Sequence, residues 1–287
     1  MFNYVKMVLS VAANVTRNTT VNLQKKKTPS ESEFLIFNAL CSLITCITLL
    51  IVCKGIQHIS LYTLLLSVLY GVALVTSYQM LILAMREGPM SYTILISTCG
   101  MIIPTLFGTI VYKESVSVFQ VIGFVLMPIG FYFGANPNKS DKITIKWAKY
   151  VFTCFFSNGM QGVLQKVIIR SEHSEENGMF LMNAFFASAL ILTVMYFFKK
   201  EKAKFGKDFA KKYSSSVIVG LADAFQHKVN TVLAGVLPSI ICYPVINGGG
   251  IAGATLVSVL VFREKMDKKQ IIGFVLCVMS IILMCIV

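Results

Sequence analysis

VYKESVSVFQVIGFVL, from Val111 to Leu126, and VFREKMDKKQIIGFVL, from Val261 to Leu276, lie 150 positions apart in one chain. They agree in register at Val, Glu, Gln and Ile, then at Gly-Phe-Val-Leu. The likeness spreads outward from this phrase. PTLFGTIVYKE (Pro104 to Glu114) lies over ATLVSVLVFRE (Ala254 to Glu264). FNALCSLITCITLLIVCK (Phe37 to Lys54) answers MNAFFASALILTVMYFFK (Met182 to Lys199), sharing Asn-Ala near the start and Lys at the end. The segment from Lys6 to Lys25 answers the one from Lys149 to Lys166 across a small gap, both closing on Leu-Gln-Lys. A duplicated architecture follows.

What kind of unit is duplicated is set by hydropathy. The chain has 287 residues, 56% hydrophobic and only 14% charged, with a mean hydropathy of +0.73. A soluble domain carries nearer a quarter charged residues, because it has a polar surface to cover. Apolar runs near the ~20 residues that cross the hydrocarbon predict about ten spans: 4–24, 33–53, 61–85, 89–112, 115–135, 148–168, 178–198, 214–235, 238–262 and 268–287. The first and eighth are the least hydrophobic. The reading is an all-α integral membrane protein of about ten transmembrane helices, built as two five-helix inverted repeats. The repeats are 1–137 and 148–287, joined by a linker loop at 138–147. Five is odd, so the second copy enters the membrane upside down, and the halves are related by an axis in the membrane plane.

The formal charge of +13 excludes little once its distribution is read. The lysines sit in islands between apolar runs rather than on one basic face, which points to a lipid bilayer and away from nucleic acid. The islands at Lys25–Lys27, Lys139–Lys149, the seven lysines from Lys199 to Lys212, and Arg263–Lys269 fall on one side, with Arg86. The opposite loops hold little beyond Lys6, Lys54, Lys113, Lys166 and Arg170. Positive charge marks the cytoplasmic side, which leaves both termini outside. The N-terminus weakly imitates a cleaved signal at Lys6 and MVLSVAA, but its apolar core is short and the repeat assigns it a counterpart. Eight cysteines lie almost wholly in apolar runs without C-x-x-C spacing, so they read as small buried hydrophobes. Sequons at Asn14 and Asn18 lie inside a span and are discounted. No metal or cofactor pattern is present.

The two five-helix halves, the Glu before QxIGFxL in each (Glu114, Gln120, Gly123; Glu264, Gln270, Gly273) and SNGMQGVLQK opening the second half together resemble the EamA-type branch of the drug/metabolite transporter superfamily. That resemblance covers essentially the whole chain. It implies a carrier for a small metabolite, with a cavity lined mainly by the first, third, fourth, sixth, eighth and ninth helices. The family is associated with cytoplasmic termini, opposite to the loop count above.

Polar groups inside a bilayer are costly and face a bundle interior or a watery cavity. In the first span Ser10, Asn14, Asn18 and Asn22 recur every fourth residue, with Arg17 beside them. In the sixth, Ser157, Gln161 and Gln165 do the same, with Asn158 adjoining. Spacing of four makes each set a helical stripe, and the stripes are expected to face one another. The eighth span holds LADAFQHKVN, placing Asp223, Gln226, His227 and Lys228 near its centre. Asp223 and His227 are one turn apart and can touch. At matching depth the third span offers Tyr78 and Gln79, and the ninth offers Asn247 before three glycines. Gly100 and Gly248–Gly250 read as close-packing sites, Glu114 and Glu264 as interfacial caps, and Tyr78, Tyr92 and Tyr243 as cavity aromatics. Asn and Gln stripes can also serve helix packing alone.

Three functions compete. A secondary transporter would bind a small polar or amphipathic metabolite at these residues, with Arg17 and Lys228 favouring an anionic group. Asp223 and His227 are the candidates for proton coupling, and an uncoupled exchanger or facilitator is the alternative. A multi-pass membrane enzyme is disfavoured by three histidines without H-E-x-x-H, and by the absence of G-x-S-x-G and phosphate loops. A scaffold has no use for duplicated polar stripes. The expected setting is the plasma membrane, as a monomer or homodimer.

Overall fold

The computed structural model describes residues 2–25, 28, 30–55, 58–134, 143–199, 208–261, 263 and 266–286. Every element among them is helical. In chain order these are α1 (Phe2–Lys25), α2 (Glu31–Val52), α3 (Leu61–Glu87), α4 (Met90–Thr98), α5 (Ile102–Val111), α6 (Val118–Gly134), α7 (Ile145–Arg170), α8 (Asn177–Phe197), the short α9 (Phe209–Tyr213), α10 (Ser215–Val236), α11 (Ser239–Leu260) and α12 (Lys268–Cys285). Each predicted span meets a helix or, for 89–112, the pair α4–α5 joined by a 3-10 turn at Cys99–Met101. The break has a local cause: Pro104 has no N–H to offer Gly100. Most of the predicted linker loop lies outside the described residues, and α7 begins inside its end, at Ile145.

Among the described residues, six helical stretches are long and apolar enough to cross a membrane: Glu31–Val52, Leu61–Glu87, Tyr92–Val111, Ser174–Phe197, Ser239–Leu260 and Lys268–Cys285. They mark the chain as a membrane protein. α6 is apolar but shorter, while α1, α7 and α10 have 24, 26 and 22 residues and carry the polar stripes. Large apolar side chains on the outer faces, such as Val8, Ile110, Val118 and Ile282, are exposed, which suits lipid.

The repeated phrase folds the same way twice. Lys113 and Arg263, 150 positions apart, both take left-handed backbone, at φ 51° and 54°. A reciprocal cap then starts the next helix: Ser117 with Gln120, and Asp267 with Gln270. The helices so launched, α6 and α12, pack antiparallel and reciprocally. Gly123 lies against Ser280, whose hydroxyl donates to the Gly123 carbonyl at 2.5 Å, and Gly130 lies against Gly273. A side chain on Gly273 would meet the backbone of Gly130 and Gly134 within 3 Å, so the close approach excludes anything larger.

Cross-half contacts elsewhere also come in matched pairs. α1 runs antiparallel to α10 (Ser10 with Asn230, Arg17 with Asp223, Gln24 with Ser215), and α3 runs antiparallel to α7 (Tyr70 with Gln165, Ser77 with Gln161, Gly88 with Trp147). α1 runs parallel to α11 (Val11 with Gly249, Val15 with Gly253), as α4–α5 does to α7 (Gly100 with Asn158, Ile103 with Gly159). α2 and α8 cross antiparallel at Ser42–Ser188 and Cys53–Gly178. Gly100, Gly248, Gly249 and Gly250 each face a neighbouring helix at a distance no ordinary Cβ tolerates or only barely does, bearing out their reading as close-packing sites.

Candidate functional site

Between these pairs lies a cavity of about 510 Å³, within the range that holds small molecules. The polar stripes of α1 and α7 both face it. Asn14, Arg17, Asn18 and Asn22 contribute from α1, and Asn158, Gln161 and Gln165 from α7. α10 adds Gln226, His227 and Asn230, α11 adds Tyr243 and Asn247, and α3 adds Tyr70, Ser77 and Tyr78. The spacing of four marks the cavity face for Asn14, Asn18, Asn22, Gln161 and Gln165, while Ser10 and Ser157, the first members of the two stripes, are not in the lining.

The lining is a network. Arg17 donates from Nε to Asp223 at 2.7 Å and from a terminal nitrogen to Asn18 Oδ1 at 3.3 Å, and its guanidinium lies 5.1 Å from the Tyr78 ring centroid. Asn18 donates to Asn14 Oδ1 at 2.6 Å. Ser10 donates to Asn230 Oδ1 at 2.5 Å. On the other wall Gln161 donates to Ser77 Oγ at 3.0 Å, and Asn158 to the Ser97 carbonyl at 3.1 Å. Gln165 donates to the Tyr70 hydroxyl at 3.0 Å, which lies 2.8 Å from His227 Nδ1. Tyr243 closes part of the floor by donating to the Gly162 carbonyl at 2.7 Å.

Several expectations need correction. Asp223 and His227 do not pair: Asp223 turns to Arg17 on α1, and His227 to Tyr70 on α3. One turn of helix brings two side chains within reach, but each found a partner on a different neighbouring helix. Asp223 does not line the cavity itself and stands behind Arg17. Lys228 leaves the cavity altogether and donates to Asn177 Oδ1 at 2.7 Å, at the start of α8. Being next to His227 in sequence turns it some 100° around α10. Gln79 is buried beside the cavity but does not line it, for the same reason relative to Tyr78. Tyr92 packs against Ala84, Trp147 and Val151 instead, and Tyr70 takes its place as a cavity aromatic. Tyr70 sits in a long apolar run with no polar residue four away; Ser67, three before, and Ser77, seven on, mark its face.

A second polar cluster went unread. Lys166, expected in a loop, is completely buried. It pairs with Glu114 and also donates to the carbonyls of Ala234 at 2.6 Å and Leu237 at 3.4 Å. Glu114, expected as an interfacial cap, accepts from the Ser239 N–H at 2.6 Å. Gly108 lies so close that a Cβ there would overlap both Ser239 and Glu114. Burial pushes the Glu114 carboxyl up, but hydrogen bonds from Lys166 and Ser239 outweigh it and hold the group below its ordinary value. This bolt ties the loop after α5 to α7 and to the α10–α11 turn. Its counterpart by repeat, Glu264, lies outside the described residues.

All eight cysteines are free thiols, and no cluster of His, Cys, Asp or Glu among the described residues could hold a metal.

No family model matches the chain, and no curated protein does. Among solved structures, 28 chains match. One, described only as "Crystal structure of protein", superimposes with a TM-score of 0.77 over 98% of this chain and 95% of its own, at 12% identity. The whole helical fold is thus shared with a crystal structure, and a likeness at that identity speaks to fold alone.

Proposed function

We propose that the protein is a secondary transporter of the EamA or drug/metabolite type, moving a small polar or amphipathic metabolite across the plasma membrane by alternating access. In this reading the chain crosses the membrane ten times as two inverted five-helix repeats. The reciprocal α6–α12 contact and the matched directions of the cross-half helix pairs support it, since such an axis exchanges each contact with its partner. One observation carries the functional reading: a cavity lined by hydrogen-bonding side chains from both halves, at the centre of a bundle whose outside is apolar. A carrier needs groups that replace the cargo's hydration shell at mid-depth. The lining is mainly carboxamides and tyrosines, which hydrogen-bond a cargo but are weak acids, bases and nucleophiles.

Proton coupling is the finer question, and Asp223 is its candidate. The Arg17 partner supports a second reading, exchange or facilitated transport without proton coupling, because Asp223 is held by the guanidinium at 2.7 Å and does not itself line the cavity. Purified protein in proteoliposomes, offered a metabolite panel with and without an imposed pH gradient, tests both. Uptake that follows the gradient and loses this response in Asp223→Asn assigns coupling; uptake indifferent to the gradient makes the protein an exchanger or facilitator. No transport of any panel member, with no thermal stabilisation by one, sinks the transporter reading.

A further inference from the structure

We infer that the cavity selects an uncharged cargo rich in hydrogen-bond donors, of the sugar or nucleoside class, and rejects anions and cations of similar size. The inference rests on the transporter reading and narrows it. It starts from the residue types on the wall. Seven asparagines and three glutamines line the cavity, whereas its only permanently charged side chain among the described residues is Arg17. Each carboxamide presents two donors and an acceptor with no net charge, so the wall can satisfy hydroxyls and ring nitrogens in either sense.

Charge balance points the same way. Arg17 is not free to meet an anion, because Asp223 stands behind it at 2.7 Å and cancels its charge. Lys228, the other cation near this depth of α10, is turned toward Asn177. An ion entering this wall would bring an unmatched charge into a site with no counter-charge, which the low-dielectric interior penalises. The remaining titratable groups on the lining are His227, Tyr70, Tyr78 and Tyr243. Of these, His227 is engaged by Tyr70 and packs edge-on against Phe185.

The third observation separates donors from acceptors. Gln226 lines the cavity and is buried at 7% exposure, and its Oε1 has no hydrogen-bond partner among the described residues. A buried acceptor left unmatched is costly, and a donor brought to this wall by the cargo can match it. Carboxylate and phosphate oxygens cannot donate. A sugar or nucleoside brings several donors, and the three tyrosines add aromatic surface for an apolar ring face.

The test compares isosteric probes of different charge on the full-length protein in lipid nanodiscs. Glucose, glucuronate and glucosamine form one set; uridine and uridine monophosphate form the other. At least one neutral probe should bind, with its charged homologues at least tenfold weaker. Asp223→Asn uncovers the Arg17 charge and should move the neutral-to-anion ratio at least tenfold toward the anion. Gln161→Glu, on the opposite wall, should move it at least tenfold away from the anion, and stands alone if Asp223→Asn does not fold. A charged homologue binding as tightly as its neutral partner overturns the inference. So does binding of charged metabolites when both neutral probes fail, and in that case the transporter reading stands. If no metabolite of any charge binds or is carried, the transporter reading itself has failed.

Discussion

Two buried ion pairs join the halves of this molecule, and they differ in what surrounds them. Lys166 and Glu114 are sealed, with side chains 0% and 8% exposed and main-chain hydrogen bonds filling the remaining positions. Arg17 borders the cavity at 19% exposure, with Asp223 behind it at 3% and carboxamides and a tyrosine ring alongside. In the first, water is shut out, and a charge that lost its partner would have only these few main-chain groups to solvate it. In the second, Arg17 can reorganise toward the cavity if its partner is lost. The sealed pair is therefore read as a structural bolt, and the cavity pair as part of a site whose charge can be retuned.

The largest expected effect follows from breaking the bolt on one side. Lys166→Met leaves the Glu114 carboxylate buried without its cation, and removing one member of such a pair costs about 3–5 kcal/mol. Restoring neutrality with Lys166→Met/Glu114→Gln should recover most of that loss. Unfolding of both variants in nanodiscs measures the difference, and a double variant no better than the single one removes the ion pair from the explanation. Acid supplies an independent probe. The folded Glu114 carboxyl is held below its ordinary value of about 4.5. Its contribution is thus complete above the unfolded pKa and is lost as pH falls through the lower, folded one. The wild type should lose stability in that acidic window more steeply than Glu114→Gln.

The same contrast explains what could be read from the sequence. Stripes of Asn, Gln and Ser every fourth residue on α1 and α7 announced the cavity, because polarity at helical spacing in an apolar run has only one favourable direction to face. Helix ends were legible too, since the repeated phrase carries its own cap, Ser117 with Gln120 and Asp267 with Gln270. Partner choice was not legible. Asp223 has His227 one turn away in sequence, yet pairs with a residue 206 positions earlier, and no local pattern encodes that. Lys166 reads as a loop cation until one knows that α7 continues to Arg170 and that the α10–α11 turn folds its carbonyls over the ammonium. Tyr70 stayed hidden because an aromatic ring in the apolar run LLLSVLYGVAL looks like a packing residue.

A middle-sized effect is expected at the cavity pair. Asp223→Asn keeps a hydrogen-bond acceptor beside Arg17 and removes only the charge, and Arg17 retains Asn18 and the Tyr78 face. Stability should fall by about 1 kcal/mol, at the low end for a disrupted polar partner, well below the Lys166→Met loss. Thermal unfolding of the two variants side by side gives the ranking. If Asp223→Asn proves the more damaging, Arg17 is as sealed as Lys166 and the contrast between the pairs collapses.

The smallest effect belongs to a third ion pair, between the start of α7 and the end of α3: Lys146 with Glu87 at 2.5 Å, whose side chains are 60% and 34% exposed. The geometry is as short as at the cavity, so distance alone would rank the two alike. Water decides otherwise: exposed ions are already solvated before they meet, and ordering the lysine side chain offsets much of what the contact gains. Lys146→Ala should leave the unfolding midpoint within experimental error of the wild type, at low and at high salt. A loss comparable to that of Asp223→Asn would mean that separation, and not access to water, sets the strength of these ion pairs.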